Sequence, residues 1–313
     1  MFTTSPSIID PFVHTYSIVA RDPHTGQIGV AVQSHYFAVG STVPWAEAGV
    51  GAVATQAFAN MDYGPEGLTL MRQGLDAEQA LETLLKHDEG REIRQVALVD
   101  ARGAVAVHTG SKCIPAAGHL AGDNFSVQAN LMVNDSVWPA MKRAYVEAEG
   151  DLEDHMIAAL EAAQAAGGDI RGQQSAAMLI VSGEQQQKPW HGRLFDVRVD
   201  DHSNPVEELK RLVSLRKAWL LFDQSNELAL AQQFDEAVSL LRKAMDLQPD
   251  ITELKFRGTQ ILFMAGKEQE AFTVLSEVFA KEPIWAELLP RMASVGLIPS
   301  DEALRQLAPD GEL

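Results

Sequence analysis

Residues 14–34 of this chain read His-Thr-Tyr-Ser-Ile-Val-Ala-Arg-Asp-Pro-His-Thr-Gly-Gln-Ile-Gly-Val-Ala-Val-Gln-Ser. Two runs rich in β-branched residues, His14–Arg21 and Gln27–Ser34, are typical of β-strands. The intervening Asp22–Gly26 carries a proline and a glycine, which supply the backbone angles of a tight loop. The stretch therefore predicts a β-hairpin, and the unbroken apolar run 28–32 indicates that its second strand is covered on both faces.

The residues that follow alternate groups of strands with pairs of helices. Strands are predicted at 50–58, 94–100, 104–109, 124–132, 174–182 and 193–199, and helices at 64–74, 76–87, 136–149 and 152–166. A parallel sheet would alternate single strands with single helices, whereas this order indicates antiparallel sheets with segregated helix layers. We therefore expect an α+β domain over 14–200, built as a four-layer αββα sandwich, after an N-terminal extension over 1–13.

The composition of the chain changes at residue 205. Of the 23 glycines, 19 precede this position, and the valine-rich runs give way to a pattern of leucine, alanine, glutamate and lysine that is typical of helices. The polar segment Asp200–Pro205 offers a helix N-cap and suits a linker. We expect a separate all-α domain over 206–313.

This C-terminal part repeats itself at a spacing of 34 positions. The matching pairs are Ala237 and Ala271, Pro249 and Pro283, Leu241 and Leu275, Leu228 and Leu262, and Ala231 and Ala265. Because such a period is typical of helix-turn-helix units, residues 218–251 and 252–285 resemble two tetratricopeptide repeats. Two units bury too small a core alone, so helices at 206–216 and 286–307 are expected to cap them. The repeats indicate either a protein partner or self-association.

The charge and cysteine content exclude several classes of partner. The chain has 25 basic and 43 acidic residues, a formal net charge of -18, which disfavours nucleic acid and anionic membrane surfaces. Its single cysteine, Cys113, allows no internal disulfide, as is usual in the cytoplasm. No stretch approaches the roughly 18 apolar residues of a membrane span. The nine histidines lack ligand spacing, so no metal is expected, and the glycine pattern at 49–54 lies inside a predicted strand, so no dinucleotide or other cofactor is expected.

Four segments carry a resemblance to a known family: Thr15–Pro23, Gly29–Val32, Phe37–Ala57 and Gly168–Ala177. They resemble the family catalogued as domain of unknown function 1028, over residues 13–200. That family is similar in fold to the N-terminal nucleophile hydrolases, a class that contains proteasome subunits, penicillin acylases and asparaginases. The resemblance implies amide-bond hydrolysis on a sandwich fold, and it implies no particular substrate.

In this class of hydrolase, a threonine at a free N-terminus attacks the amide. Its own α-amino group accepts the hydroxyl proton, since the pKa of that amine is about 8. The residue that matches here is Thr15, and 14 residues precede it. The resemblance therefore implies cleavage between His14 and Thr15. An uncleaved chain would have an amide nitrogen at this position and no base.

The resemblance also nominates the rest of a site by position. Asp169 and Ser175 match an acid and a serine of the class, and Asn130 lies where an orienting polar group is often found. The acid and lysine of proteasome-type hydrolases are replaced by Gln33 and Glu47. An oxyanion hole is expected from the backbone near Gln56 or from Asn60, and substrate contacts from Arg171, Gln174, Gln33 and Gln56.

Two hypotheses of function follow. The first is an N-terminal-nucleophile-type amidohydrolase that acts on a small amide or peptide-like metabolite. The second is a catalytically silent binding or scaffold protein that works through its sandwich fold and its helical repeats. In either case we expect a homo-oligomer.

Overall fold

A computed structural model describes residues 12–188 and 190–295 of the chain. Its internal contacts divide the chain into two units, 1–213 and 214–313. Of the predicted N-terminal extension, residues 1–11 lie outside the described residues. No helix in the described ranges is long and apolar enough to cross a membrane.

The first unit consists of eleven described strands and four helices, followed by the start of a fifth helix. The strands are β1 (Phe12–Val13), β2 (Thr15–Arg21), β3 (Ile28–Ser34), β4 (Pro44–Glu47), β5 (Gly51–Phe58), β6 (Arg94–Asp100), β7 (Val105–Thr109), β8 (Gly118–Gly122), β9 (Phe125–Ala129), β10 (Ser175–Val181) and β11 (Arg193–Val199). The helices are α1 (Tyr63–Arg72), α2 (Ala77–His87), α3 (Val137–Glu147) and α4 (Leu152–Ala165).

The strands form two antiparallel sheets. In the first sheet the order is β1-β5-β6-β7, with β4 also paired to β5; in the second it is β11-β10-β3-β2-β9-β8. The predicted hairpin forms the middle of the second sheet, and its register pairs Thr15 with Ser34 and Arg21 with Ile28. This register places the first residue of β2 beside the last residue of β3.

The two sheets pack face to face, and a pair of helices covers the outer face of each. Helices α1 and α2 contact the first sheet through β4 to β7, and α3 and α4 contact the second through β2, β3, β8 and β9. Small and branched apolar side chains fill much of the space between the sheets, among them Val19, Val30, Ala52 and Val99. The predicted α+β class with antiparallel sheets is therefore confirmed.

Three short strands, β1, β4 and β8, were not predicted. Each lacks the length or the residues of an ordinary strand: β1 has two residues, β4 begins at a proline, and β8 begins and ends with glycine. Short segments of this kind form because a neighbouring strand offers hydrogen bonds, and they are too short for local propensity to predict. In β1, Phe12 pairs with Phe58 and Val13 with Ala57.

The rest of the described chain is helical. After α5 (Pro205–Leu230) come α6 (Phe234–Leu247), α7 (Thr252–Met264), α8 (Glu268–Lys281) and α9 (Leu288–Ser294). Helix α8 begins and ends 34 positions after α6, and α7 ends 34 positions after α5. The period found in the sequence is therefore a period of helix boundaries.

One helix replaces two predicted ones at the start of this region. The expected helix at 206–216 and the first repeat helix from 218 are continuous in α5, because no glycine or proline interrupts residues 206–230. The expected linker over 200–205 ends where this helix begins. Of the expected helix at 286–307, residues 288–294 are helical and residues 296–307 lie outside the described part of the chain.

Candidate functional site

Thr15 is the first residue of β2, and its side chain lies in the space between the two sheets. Residues 15, 17 and 19 share one face of the strand; the Ser17 hydroxyl bonds a residue of the facing sheet, and Val19 belongs to the inter-sheet core. Thr15 is fully buried, and its Oγ1 donates to the Val13 carbonyl at 3.1 Å. Its nitrogen belongs to the peptide bond with His14, so the uncleaved chain has no amine here.

The carbonyl oxygen of that same peptide bond has two strong donors. The Ser34 hydroxyl donates to the His14 oxygen at 2.6 Å, and Nη2 of Arg171 donates to it at 2.8 Å. Ser34 reaches it because the hairpin register sets this residue beside Thr15. Donors of this kind stabilise negative charge that develops on a carbonyl oxygen under attack.

A buried carboxylate fixes the position of Arg171. Asp169 accepts hydrogen bonds from Nη2 of Arg171 at 2.7 Å and from Nε at 3.0 Å, and its own side chain has no exposed area. The backbone nitrogen of His35 also donates to Asp169, at 3.2 Å. This two-point geometry holds the guanidinium in one orientation, with Nη2 directed at the His14 carbonyl.

The imidazole of His14 is enclosed beside Thr15. Its Nδ1 bonds to Oδ1 of Asn130, and the ring contacts Phe12 and Phe58 edge-on, with centroid separations of 3.8 and 5.7 Å. The pKa of His14 is lowered to about 4, chiefly by burial; the Arg171 charge also lowers it, while the hydrogen bond to Asn130 and the Asp169 charge oppose the shift. The ring is therefore neutral at pH 7.

A network of buried amides joins the two sheets next to this site. Gln95 of β6 donates through Nε2 to the Ala129 carbonyl at 2.9 Å and accepts at Oε1 from Gln56 and Asn130, at 2.7 and 2.8 Å. Gln56 in turn accepts from the Ser17 hydroxyl at 2.6 Å. All of these side chains are fully buried. The network is satisfied throughout, so it fixes the separation of the sheets and the orientation of each amide.

This network also holds the backbone of Thr15. The backbone nitrogen of Asn130 donates to the Thr15 carbonyl at 3.1 Å, and Nε2 of Gln56 donates to it at 3.3 Å. The residues that follow these two, Leu131 and Ala57, have positive φ angles of 57° and 69°. Left-handed backbone at a non-glycine residue costs energy and is maintained by the surrounding structure. Here it occurs directly after each of the two residues that donate to the Thr15 carbonyl.

The structure brings together five of the nine nominated site residues: Thr15, Asp169, Asn130, Gln56 and Arg171. Ser175 shares their face of the sheet, across β3 from Thr15, but its hydroxyl donates to the Tyr36 carbonyl and accepts from the Val39 nitrogen. It therefore holds the turn after β3. The contacts of Ser175 are with this turn and not with Thr15.

The other three nominated residues lie elsewhere. Gln33 pairs with Tyr16, on the face of β3 opposite to Ser34, and its buried amide has no partner among the described residues. Gln174 donates to Asp201 at 3.1 Å, and Asn60 accepts from the Asp62 nitrogen in the turn before α1. Alternation along each strand and local turn bonds separate these side chains from Thr15.

Sequence reasoning missed three residues of the site: His14, Ser34 and Gln95. Ser34 could have been found from the predicted hairpin, because pairing the two strands outward from the loop sets Ser34 opposite Thr15. Gln95 is a polar residue in an apolar strand, as Gln56 and Gln128 are. His14 had no such signal, because its role depends on contacts made across 116 positions of sequence.

Two other features lie away from Thr15. An open cleft of about 880 Å³ is lined by Arg21, at the opposite end of β2, together with Phe125 and Tyr145. Three acidic residues, Asp151, Glu153 and Asp154, converge at the start of α4, where Asp151 and Asp154 cap the helix through each other's backbone nitrogens. The second group is explained by helix capping.

Comparison with known proteins identifies the first unit. Residues 15–209 match the family described as "Family of unknown function (DUF1028)", a match that begins at Thr15 itself. A crystal structure of a DUF1028-family protein from Silicibacter pomeroyi is similar at 33% sequence identity, with a TM-score of 0.57, over 64% of this chain and 88% of that one. No curated protein matches. With most of its length covered by the family match, the chain belongs to the DUF1028 family.

Proposed function

We propose that the first unit is an amidohydrolase whose nucleophile is Thr15, exposed as an N-terminal residue by cleavage of the His14–Thr15 bond. The observation that carries this proposal is the pair of donors on the His14 carbonyl. Ser34 and Arg171 polarise the one peptide bond whose cleavage would give Thr15 a free amine. The family match that starts at Thr15 supports the same boundary.

The first step of the proposal is internal. Oγ1 of Thr15 attacks the carbonyl carbon of His14, and the oxygen that becomes negative is stabilised by Ser34 and Arg171. The hydroxyl proton is transferred to the Thr15 nitrogen as the C–N bond breaks, which leaves an ester between His14 and Oγ1 and a free α-amine. Water then hydrolyses the ester, so that the chain ends with a His14 carboxylate and begins again at Thr15.

The mature site would act on a second amide in the same way. The α-amine of Thr15, with a pKa of about 8, takes the hydroxyl proton as Oγ1 attacks the substrate carbonyl. Ser34 and Arg171 stabilise the oxyanion, and Asp169 keeps Arg171 in place. Asn130 and Gln56 hold the Thr15 backbone, so the nucleophile needs no reorganisation.

The architecture is consistent with this chemistry. Two face-to-face antiparallel sheets with helices on both outer faces have the layer order of an N-terminal nucleophile hydrolase, with Thr15 at the end of a central strand between the sheets. The substrate class is a small amide or peptide-like compound, because Thr15 is fully buried between the two sheets.

Intact-mass spectrometry of the full-length protein tests the proposal. We expect a species that begins at Thr15, together with the released N-terminal peptide, and hydrolysis of members of an amide library by the cleaved chain. Thr15→Ala should abolish both, while Thr15→Ser should retain both because it keeps a hydroxyl at the same position. A protein that stays intact from Met1 and hydrolyses no amide would refute the proposal.

A scaffold role is the second candidate, and the helical repeats favour it. Helix boundaries recur at 34 positions, and the residue pairs at this spacing include Ala237 with Ala271 and Leu241 with Leu275, all four buried. We infer that these helices form tetratricopeptide-like units. Removal of residues 231–313 should then change the assembly state, measured by light scattering, or abolish capture of a protein partner. If both stay the same, the scaffold role is wrong.

A further inference from the structure

The orientation of the Asn130 side chain follows from a chain of hydrogen bonds. The chain starts at the Ala129 carbonyl, which can only accept. The group of Gln95 that faces it at 2.9 Å must therefore be the amide NH₂, and the Gln95 oxygen must face the other way. That oxygen lies 2.8 Å from the Asn130 side chain, which must donate to it through Nδ2. The Asn130 oxygen is left facing His14.

This orientation decides which tautomer His14 adopts. The Asn130 oxygen is an acceptor, so the imidazole nitrogen that bonds to it, Nδ1, must carry the proton. A neutral imidazole has one N–H, and the other nitrogen, Nε2, is then a bare lone pair. It is buried and has no partner among the described residues. The pocket around the His14 ring is formed by Asn130, Phe12 and Phe58. It thus presents one fixed hydrogen-bond acceptor, the Asn130 oxygen, to a ring that has one donor.

The walls of the pocket restrict what else can enter it. His14 has no exposed area, and its ring contacts Phe58, which the cleaved chain retains, and Phe12, which would leave with the N-terminal peptide. A charged ring is disfavoured by this burial and by Arg171, whose Nη2 donates to the carbonyl of the same residue. A purely apolar ring would leave the Asn130 oxygen without a partner. A flat, neutral ring with an N–H fits the aromatic contacts, avoids the cost of a buried charge and gives the Asn130 oxygen a donor.

We infer that this pocket selects the acyl group of the substrate, and that the substrates are amides whose acyl part carries a neutral five-membered N–H heteroaromatic ring, as in acyl-histidine amides. Asn130 is the specificity-determining residue. The inference rests on the proposed function, because it treats the bond between His14 and Thr15 as a substrate bound in place. The His14 ring would then occupy the position of the substrate's acyl ring.

Cavity complementation tests the pocket without any need for catalysis. Full-length protein carrying His14→Ala together with Thr15→Ala, which prevents cleavage, leaves a ring-sized space beside Asn130, and small rings of matched size are titrated into it at pH 8, where imidazole is neutral. We expect imidazole and pyrrole, which have an N–H, to bind about fivefold or more tightly than thiazole and benzene, which have none. Adding Asn130→Leu should remove this preference. Equal binding of all four rings to the His14→Ala protein would overturn the inference.

A second measurement covers a His14→Ala variant that fails to fold. In ¹⁵N-histidine-labelled Thr15→Ala protein, which stays uncleaved and keeps His14 in place, with His14→Gln identifying the signal, the imidazole shifts should report a neutral ring protonated at Nδ1. Protonation at Nε2 would overturn the inference.

Hydrolysis separates this inference from the proposed function. The cleaved wild-type chain should hydrolyse N-acetyl-histidine p-nitroanilide faster than the N-acetyl-phenylalanine compound, and equal rates would overturn the inference alone. If the uncleaved His14→Ala, Thr15→Ala protein shows the ring preference, but the wild type shows neither cleavage nor hydrolysis, the proposed function is overturned and the pocket chemistry is supported.

Discussion

The space between the two sheets is filled in two different ways along the same strands. Toward the β2–β3 loop it holds apolar side chains, among them Val19, Val30, Ala52 and Val99. Toward Thr15 it holds amides and hydroxyls that bond to one another from both sheets. Apolar packing has no preferred direction, whereas each amide in the network has a donor end and an acceptor end. The apolar half, near the β2–β3 loop, stabilises the sandwich, and the polar half, near Thr15, fixes the orientation of each polar group.

The two kinds of packing also contribute differently to the free energy of folding. Burying an apolar side chain is favourable by itself, but a buried amide is tolerated only when its hydrogen bonds are made. The Gln95 network makes all of them, so it is close to neutral as a whole and costly to break at any one member. Substitutions in the two halves should therefore differ in their effects on cleavage as well as on stability.

The largest effect is expected from Arg171→Met. It leaves the Asp169 carboxylate buried without its cation, which should lower the free energy of unfolding by about 3–5 kcal/mol. It also removes one donor from the His14 carbonyl, so any cleavage should slow by about 10²–10³-fold. Urea denaturation and intact-mass time courses measure these changes. The control is Arg198→Met, which breaks an exposed pair with Asp196 and should cost less than about 1 kcal/mol. Equal losses in both variants would contradict the site assignment.

Gln95→Leu should have the next largest effect. It removes the centre of the network, so the side-chain amides of Gln56 and Asn130 and the Ala129 carbonyl each lose a short hydrogen bond, at about 3 kcal/mol in total. Cleavage should also slow, because the Thr15 backbone loses the groups that position it. Gln73→Leu, at an exposed glutamine, is the matched control for urea denaturation. A stability loss without slower cleavage would mean that the network is structural only.

The pH dependence of stability should reveal His14. Its pKa is about 4 in the folded chain against 6.5 when unfolded, so between these values the unfolded chain binds more protons. Stability should therefore fall as the pH is lowered from 6.5 to 4, by at most about 1.4 kcal/mol per pH unit from this residue. Urea titrations of uncleaved Thr15→Ala protein, with and without His14→Gln, at several pH values isolate the contribution. Identical slopes would show that His14 titrates normally.

Ile28→Val, in the apolar half, should have the smallest effect. Loss of one buried methylene costs about 0.5–1.5 kcal/mol. Cleavage should keep its wild-type rate, since no hydrogen bond of the site involves this residue. Slower cleavage in Ile28→Val than in Gln95→Leu would reverse the contrast between the two halves.

The pattern of apolar residues was sufficient to predict most of the fold. The hairpin at 14–34, both helix pairs and the later strands follow from local propensity and periodicity, and the helix boundaries follow the 34-residue period. The strands that were missed, β1, β4 and β8, exist because a neighbour pairs with them. They are too short, or too rich in proline and glycine, for local propensity to predict them.

The candidate site divides in the same way. The sequence by itself determined that Thr15 begins a strand, that Asp169 and Asn130 follow buried elements, and that glutamines interrupt apolar strands. Only the tertiary structure decided that Gln56 and Gln95 meet between the sheets while Gln33 faces away, and that Ser34 and Arg171 share the His14 carbonyl. Strand propensity is a property of neighbours in sequence, whereas a hydrogen bond needs two groups within about 3 Å. For residues more than a hundred positions apart, only the packing of the sheets can bring them that close.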